Sequence, residues 1–134
     1  MITGIKATGE VFINGVILSP KESQKVYNHS PDGFGWNYRG SGPAQLALAL
    51  LLFYTGDKRI AERYHQQFKE DVIARLEGDF KMPNTIILGW LQAKGIQYKT
   101  TTPFVSNIKS ANKGKKYKSK MDFVTDTQED QNEK

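Results

Sequence analysis

The chain has 134 residues, no cysteine and a net charge of +5, with 38% hydrophobic and 25% charged side chains. That length fits one domain with one core, the balance is that of a soluble globular protein, and disulfides and thiolate metal sites are excluded. The opening MITGIKATGEVF lacks the apolar centre of a signal peptide. The longest strongly apolar run, Ala44 to Tyr54, is broken only by Gln45 and is well short of the roughly 20 residues a membrane span needs. These features predict a cytoplasmic protein with no membrane partner.

In chain order, the first predicted element is a β-hairpin. Val11-Phe12-Ile13 and Val16-Ile17-Leu18 flank Asn14-Gly15, and Asn-Gly supplies the two positive-φ residues of a type I′ turn. Ile5 is a candidate start for its first strand, and Ser19-Pro20 ends the second. Lys21 to Tyr27 reads as a turn of helix. His29 to Gly42 holds four glycines, one proline and three aromatics, which is loop chemistry. Phe34, Trp36 and Tyr38 alternate and are predicted to line one face of an extended segment.

Pro43 suits the first turn of a helix, and Ser41 is the predicted N-cap. The helix is expected to run to about Tyr54, apolar on nearly every face and therefore central to the core. Gly56 would end it, and Asp57 would open the next. Over 57–77, Ile60, Tyr64, Phe68, Val72 and Leu76 recur every four residues, which predicts an amphipathic helix packed on the first. Its His65 is expected at a partly exposed edge. Asn84 to Lys94 reads as a further helix, with Asn84 or Thr85 near its cap. Alternation of Ile96, Tyr98 and Thr100 predicts a final strand paired with the hairpin. The expected fold is α+β: a small antiparallel sheet, made of the hairpin and a later strand, packed on about three helices.

Residues 1–108 are expected to form that single domain and 109–134 a charged, mobile tail. Six lysines lie between Lys109 and Lys120 with no acid among them. Asp122, Asp126, Glu129, Asp130 and Glu133 follow, so the two halves of the tail partly neutralise each other. Such a tract can contact phosphates without sequence preference.

The block NHSPDGF-W-Y-GSGPAQLALALL resembles a small uncharacterised family found in phages, plasmids, bacteria and archaea. The W-x-Y-x-G-S-G-P-A-Q-L-A-L-A-L-L signature carries the resemblance, with Tyr64, Phe68-Lys69 and Trp90-Leu91 as further matches over about residues 8–96. The resemblance implies a shared fold and a mobile-element setting, and identifies no catalytic residue.

The loop–helix junction is where the unusual residues concentrate. A helix N-terminus presents unpaired N–H groups and the positive end of the macrodipole, and a glycine-rich lead-in lets an anion approach closely. The candidate binding residues are His29, Phe34, Trp36, Tyr38, Arg39, Ser41 and Gly42. Arg39 would add a charge-assisted contact, the aromatics would stack on a base or ring, and His29 would exchange a proton. A structural reading stands beside this one, in which the glycines permit a tight turn, Ser41 caps and the aromatics cover the core. The spacing matches neither G-x-x-x-x-G-K-[ST] nor G-x-G-x-x-G. His29 and His65 are the only histidines, without metal-ligand spacing, and no nucleophile–base pair is visible. No catalytic residue, metal or cofactor is therefore assigned.

The reading that follows is a non-enzymatic mobile-element accessory protein that binds a small phosphorylated or nucleotide-like ligand at the junction. One alternative is a nucleic-acid-binding protein that uses Lys113, Lys115, Lys116, Tyr117, Lys118 and Lys120. The other is a protein–protein module that inhibits a host factor, anchored by Trp36 or Tyr38.

Overall fold

The computed structural model describes residues 1–99. Its elements in order are β1 (Ile2–Ile5), β2 (Glu10–Ile13), β3 (Val16–Ile17), α1 (Lys21–Val26), α2 (Ser41–Thr55), α3 (Lys58–Asp71), a 3-10 turn (Ile73–Arg75), β4 (Phe80–Met82) and α4 (Asn84–Ala93). The four strands form one sheet in the order β3-β2-β1-β4, antiparallel throughout.

The hairpin forms where the Asn-Gly pair predicts it. Asn14 has φ 52° and Gly15 φ 82°, and Ile13 pairs with Val16 across the turn. Ile5 does not lead into that hairpin's first strand. It closes the separate strand β1, which pairs with β2 on one side, Ile2 opposite Ile13, and with β4 on the other, Ile2 opposite Met82. Strand alternation sends Ile2, Val11, Ile13, Phe80 and Met82 into the core.

The α2 helix is the centre of that core. All its residues except Ser41 and Tyr54 are buried, because it meets α1, α3, α4 and the 3-10 turn from different sides. An amphipathic helix could not do this; one that is apolar all round can. Gly56, at φ 66°, ends it in the left-handed conformation. The Asp57 carboxylate then accepts from the Arg59 and Ile60 N–H groups and caps α3. The result is a tight antiparallel helix pair, so the start of α2 lies beside the last turns of α3.

Three expectations about element limits are corrected. The amphipathic helix stops at Asp71 and not at 77: Val72 leaves helical geometry at φ −126°, and only a 3-10 turn follows. Asp71 accepts from the Trp90 indole at 2.8 Å and from Gln67 at 2.9 Å. The helix end is thereby tied to α4. The later strand of the sheet is β4, not Ile96–Thr100. Residues 96–99 carry no regular structure, although Ile96 and Tyr98 pack on the core, and Thr100 falls outside the described residues. Neither Asn84 nor Thr85 caps α4, whose N-cap is Pro83; Asn84 Oδ1 accepts from the Tyr54 hydroxyl at 2.8 Å instead.

Leu48 and Leu50 are both fully buried. Leu48→Ala and Leu50→Ala are each expected to cost about 2–5 kcal/mol, measured by chemical denaturation.

Candidate functional site

The junction is built by a loop that folds back on the start of α2. Its aromatics do not share a face. Trp36 is 0% exposed, meets Phe80 edge to face at 4.9 Å, and donates from its indole to the Gly78 carbonyl at 2.8 Å. Phe34 is partly buried against the same core. Tyr38 alone faces outward, 52% exposed. Asn37 separates it from Trp36 with φ 72°, which breaks the period-two alternation of an extended strand. Trp36 and Phe34 are thus packing residues, and of the three rings only that of Tyr38 is exposed.

The glycines of the junction serve Tyr38. A Cβ added at Gly35, Gly40 or Gly42 would lie 2.8, 2.6 or 2.7 Å from the Tyr38 side chain. The space above the helix start that glycine was expected to open for a ligand is therefore taken by this ring. Ser41 is not the N-cap: Gly40 holds that position, and no side chain caps α2. Ser41 is exposed and Gly42 buried. No acid lies in the first turn of α2, so the positive end of its dipole is uncompensated by its own residues.

Arg39 lies outside this bed and pairs with Glu70 at 2.6 Å, where its side chain is 71% exposed. Lys69 donates to the Arg39 carbonyl at 3.3 Å and lies 3.5 Å from the other Glu70 oxygen. Arg75 donates from Nε to the Glu70 carbonyl at 3.3 Å. Tyr38, Arg39, Glu70, Ala74 and Arg75 line an open cleft of about 430 Å3.

The other half of the arrangement centres on Gln45, which is 0% exposed on α2. Its Oε1 accepts from the His29 N–H at 2.7 Å and the Ser30 N–H at 3.0 Å. Its Nε2 donates to the Ser23 hydroxyl at 2.9 Å and the Tyr27 carbonyl at 3.1 Å. All four hydrogen-bonding positions of the carboxamide are used. Gln24 adds a bond to the Ser30 carbonyl at 2.9 Å. The loop carrying His29 is thereby fastened to α1 and α2 at once.

His29 meets His65 through their Nε2 atoms at 2.9 Å. His65 is buried, not at an exposed edge; the loop covers it. Sequence reading missed both Gln45 and this pair. The signal for Gln45 was present, a single polar residue in the apolar run from Ala44 to Tyr54. Nothing in spacing announces the histidine pair, because its members come from a loop and a helix 36 positions apart.

Of the expected ligand residues, the structure brings Tyr38 and Arg39 together on the cleft and adds Glu70 and Arg75. His29 lies with His65 and Gln45 instead. Lys113, Lys115, Lys116, Tyr117, Lys118 and Lys120 lie outside the described residues. Among those residues no group of three or more His, Cys, Asp or Glu side chains could hold a metal ion. No described helix is long and apolar enough to cross a membrane.

Residues 3–93 match a family of unknown function, DUF6166. The chain belongs to that family. No curated protein and no solved structure matches it. The matched stretch covers the sheet from Thr3 onward and α1 to α4, so the Gln45 arrangement and the cleft both lie on the family domain.

Replacing Gln45 by Leu keeps its approximate size but strands two N–H donors, a carbonyl and a hydroxyl. Each buried unsatisfied group costs about 1–3 kcal/mol, so Gln45→Leu is expected to lose roughly 3 kcal/mol or more in urea denaturation. A loss below about 1 kcal/mol would show that water replaces the carboxamide.

Proposed function

We propose that this domain is a binding module for a small anionic, ring-bearing ligand of nucleotide type, held in the cleft between the Tyr38–Arg39 segment and the end of α3. The observation that carries the reading is the convergence of two guanidiniums, Arg39 and Arg75, on a cleft walled by the exposed Tyr38 ring. Guanidinium forks match phosphate oxygens in bidentate fashion, and an exposed aromatic face stacks on a base at low entropic cost. The cleft volume falls within the roughly 300–1,000 Å3 usual for small-ligand sites.

Glu70 holds Arg39 in place when no ligand competes. The pair is largely exposed, and exposed ion pairs contribute about 0–1 kcal/mol, so a phosphate displaces Glu70 at small cost. Lys69 remains to neutralise the released carboxylate. The uncapped start of α2 adds a positive field, which acts through the Tyr38 bed and not by direct backbone donation. A mobile-element accessory role, in which the module sequesters a host nucleotide, is the biological setting this reading favours.

Titration calorimetry with ATP and with inorganic pyrophosphate tests the proposal. Arg39→Ala and Arg75→Ala should each weaken ATP binding by about 1.5–3 kcal/mol, the value of a charge-assisted bond, with the melting transition unchanged. Absence of binding by the wild-type protein to both probes at millimolar concentration would sink it.

A second measurement separates cleft from tail. Truncation after Asn112 removes five of the six clustered lysines, Lys113, Lys115, Lys116, Lys118 and Lys120. ATP binding should survive nearly unchanged. Its loss from a still-folded truncation would place the ligand's contacts in the removed segment. Binding of the full chain to DNA with a steep salt dependence, abolished by truncation, would favour the nucleic-acid alternative.

A further inference from the structure

The α4 helix has the composition of a buried helix and the exposure of a surface one. Its sequence, NTIILGWLQA, carries no charge. Ile87 and Leu91 are buried, and Trp90 packs on Phe68 with ring centroids 5.0 Å apart. Thr85, Ile86, Leu88, Gly89, Gln92 and Ala93 are exposed, Ile86 at 44% and Leu88 at 41%. Thr85, Leu88, Gly89 and Gln92 follow the i, i+3, i+4, i+7 spacing of one helix face, and Ile86 and Ala93 flank them.

The other helices show what an exposed face carries in this fold. α1 exposes Lys21, Glu22 and Lys25, and α3 exposes Lys58, Arg59, Glu62 and Arg63. α2, the other helix without charge, is buried on nearly every side. A helix that is apolar all round belongs inside, yet the described residues leave this side of α4 bare. Gly89 points the same way. Glycine weakens a helix interior, and a Cβ at Gly89 would meet nothing within 4 Å. Its missing side chain leaves a notch that no described residue fills.

Size limits what can cover this face. The helix has 10 residues, so it is about 15 Å long. Two such faces packed together would bury on the order of 600 Å2, below the roughly 1,200–2,000 Å2 of a stable interface between separate chains. A segment of the same chain is free of that requirement, because a short tether holds it at millimolar effective concentration.

Charge is the second limit, since a neutral apolar face calls for an uncharged apolar occupant. The chain supplies one. The Ile96 N–H closes the last turn of α4 by donating to the Leu91 carbonyl at 3.1 Å, and the described residues end three positions later at Lys99. The sequence then runs TTTPFVSNI over 100–108, without a charge, before the lysines begin at Lys109. Phe104, Val105 and Ile108 recur there at i, i+1 and i+4. Phe104 is five positions beyond Lys99, and an extended chain covers about 17 Å in that number, enough to span α4.

We propose that residues 103–108 fold back on the outer face of α4, with the Phe104 ring over the Gly89 notch and Val105 and Ile108 against Leu88 and Ile86. The helix that receives them is held at both ends: Asn84 Oδ1 accepts from the Tyr54 hydroxyl at 2.8 Å, and the Trp90 indole donates to Asp71 at 2.8 Å. Docking also fixes where the lysine tract begins, since Lys109 follows Ile108 directly. The tract then starts against the α4 side of the domain. This docking does not depend on the Arg39–Arg75 cleft.

The chain has no cysteine, so Ser106→Cys gives the full-length protein a single attachment point for a nitroxide label. In an isotope-enriched, labelled chain, the signals of Leu88 and Gly89, and of Thr85 at the far end of the helix, should broaden relative to the same sample with the label reduced. Phe104→Ser and Ile108→Ser together keep the tether and remove the apolar anchors. Added to the labelled chain, they should restore the Leu88 and Thr85 signals while those of Leu48 and Leu50 keep their folded positions. Leu88→Glu should release the segment from the other side, read as loss of broadening at Thr85. Unbroadened Leu88 in the labelled chain, or equal broadening with and without Phe104 and Ile108, would overturn the proposal. Broadening that arises only when an enriched, unlabelled chain is mixed with a labelled one would place a second copy on α4 and overturn it as well.

Discussion

One buried carboxamide sets the geometry of everything at the start of α2. Gln45 sits where an apolar residue would be expected, inside a helix buried on nearly every side. A bare amide there would cost several kcal/mol of lost hydration. It is tolerated because four partners, from Ser23, Tyr27, His29 and Ser30, are brought to it. The dependence runs both ways. The segment after α1 has no sheet or helix to satisfy its backbone, and Gln45 supplies the missing partners. The Ser23 hydroxyl extends the chain of bonds by donating to the Pro20 carbonyl at 2.7 Å. Short helix, loop and central helix therefore behave as one unit.

Charge is distributed around that unit in two ways. On the cleft side, Arg39, Lys69 and Arg75 gather near the positive end of α2, with Glu70 as their shared acidic neighbour. Under the loop lies the histidine pair, His65 buried and His29 half-buried. Lys69 belongs to both, since its ammonium reaches the Arg39 carbonyl and its charge acts on His29. At the other side of α3, Asp71 is held below the usual carboxyl range, first by its bond from the Trp90 indole. That contact anchors α4 and fixes where α3 ends. The last turns of α3 thus carry the cleft wall, the histidine partner and the α4 anchor within seven residues, His65 to Asp71.

Much of the fold was legible because its signals are local. Asn14-Gly15 dictates a turn through backbone preference alone. The Gly56-Asp57 pair marks one helix end and the next start through αL geometry and a carboxylate cap. The all-round apolarity of Ala44 to Tyr54 placed α2 at the centre. What escaped is decided by tertiary partners. Three residues, Phe80–Met82, become a strand only because β1 offers an open edge, whereas Ile96 and Tyr98 have strand alternation yet pack on the core without joining the sheet. Phe34, Trp36 and Tyr38 share a spacing, yet one positive-φ residue at Asn37 sends them to different environments. The glycines of the GSG block were read as room for a ligand, and they are room for Tyr38. Arg39 and Tyr38 were legible as candidate ligand residues, but Glu70 and Arg75 join them only through the antiparallel return of α3.

The central claim is that Gln45 docks the loop before α2 as firmly as the helices dock on each other. Native-state amide hydrogen exchange at His29 and Ser30 tests it directly. Both lie outside regular structure, beside the exposed Asn28 and Asp32, so local secondary structure gives them no protection. The account predicts that their amides exchange only through unfolding that also exposes the core of α2, such as Leu48 and Leu50. Exchange of His29 and Ser30 at the rate of the exposed loop amides would contradict it.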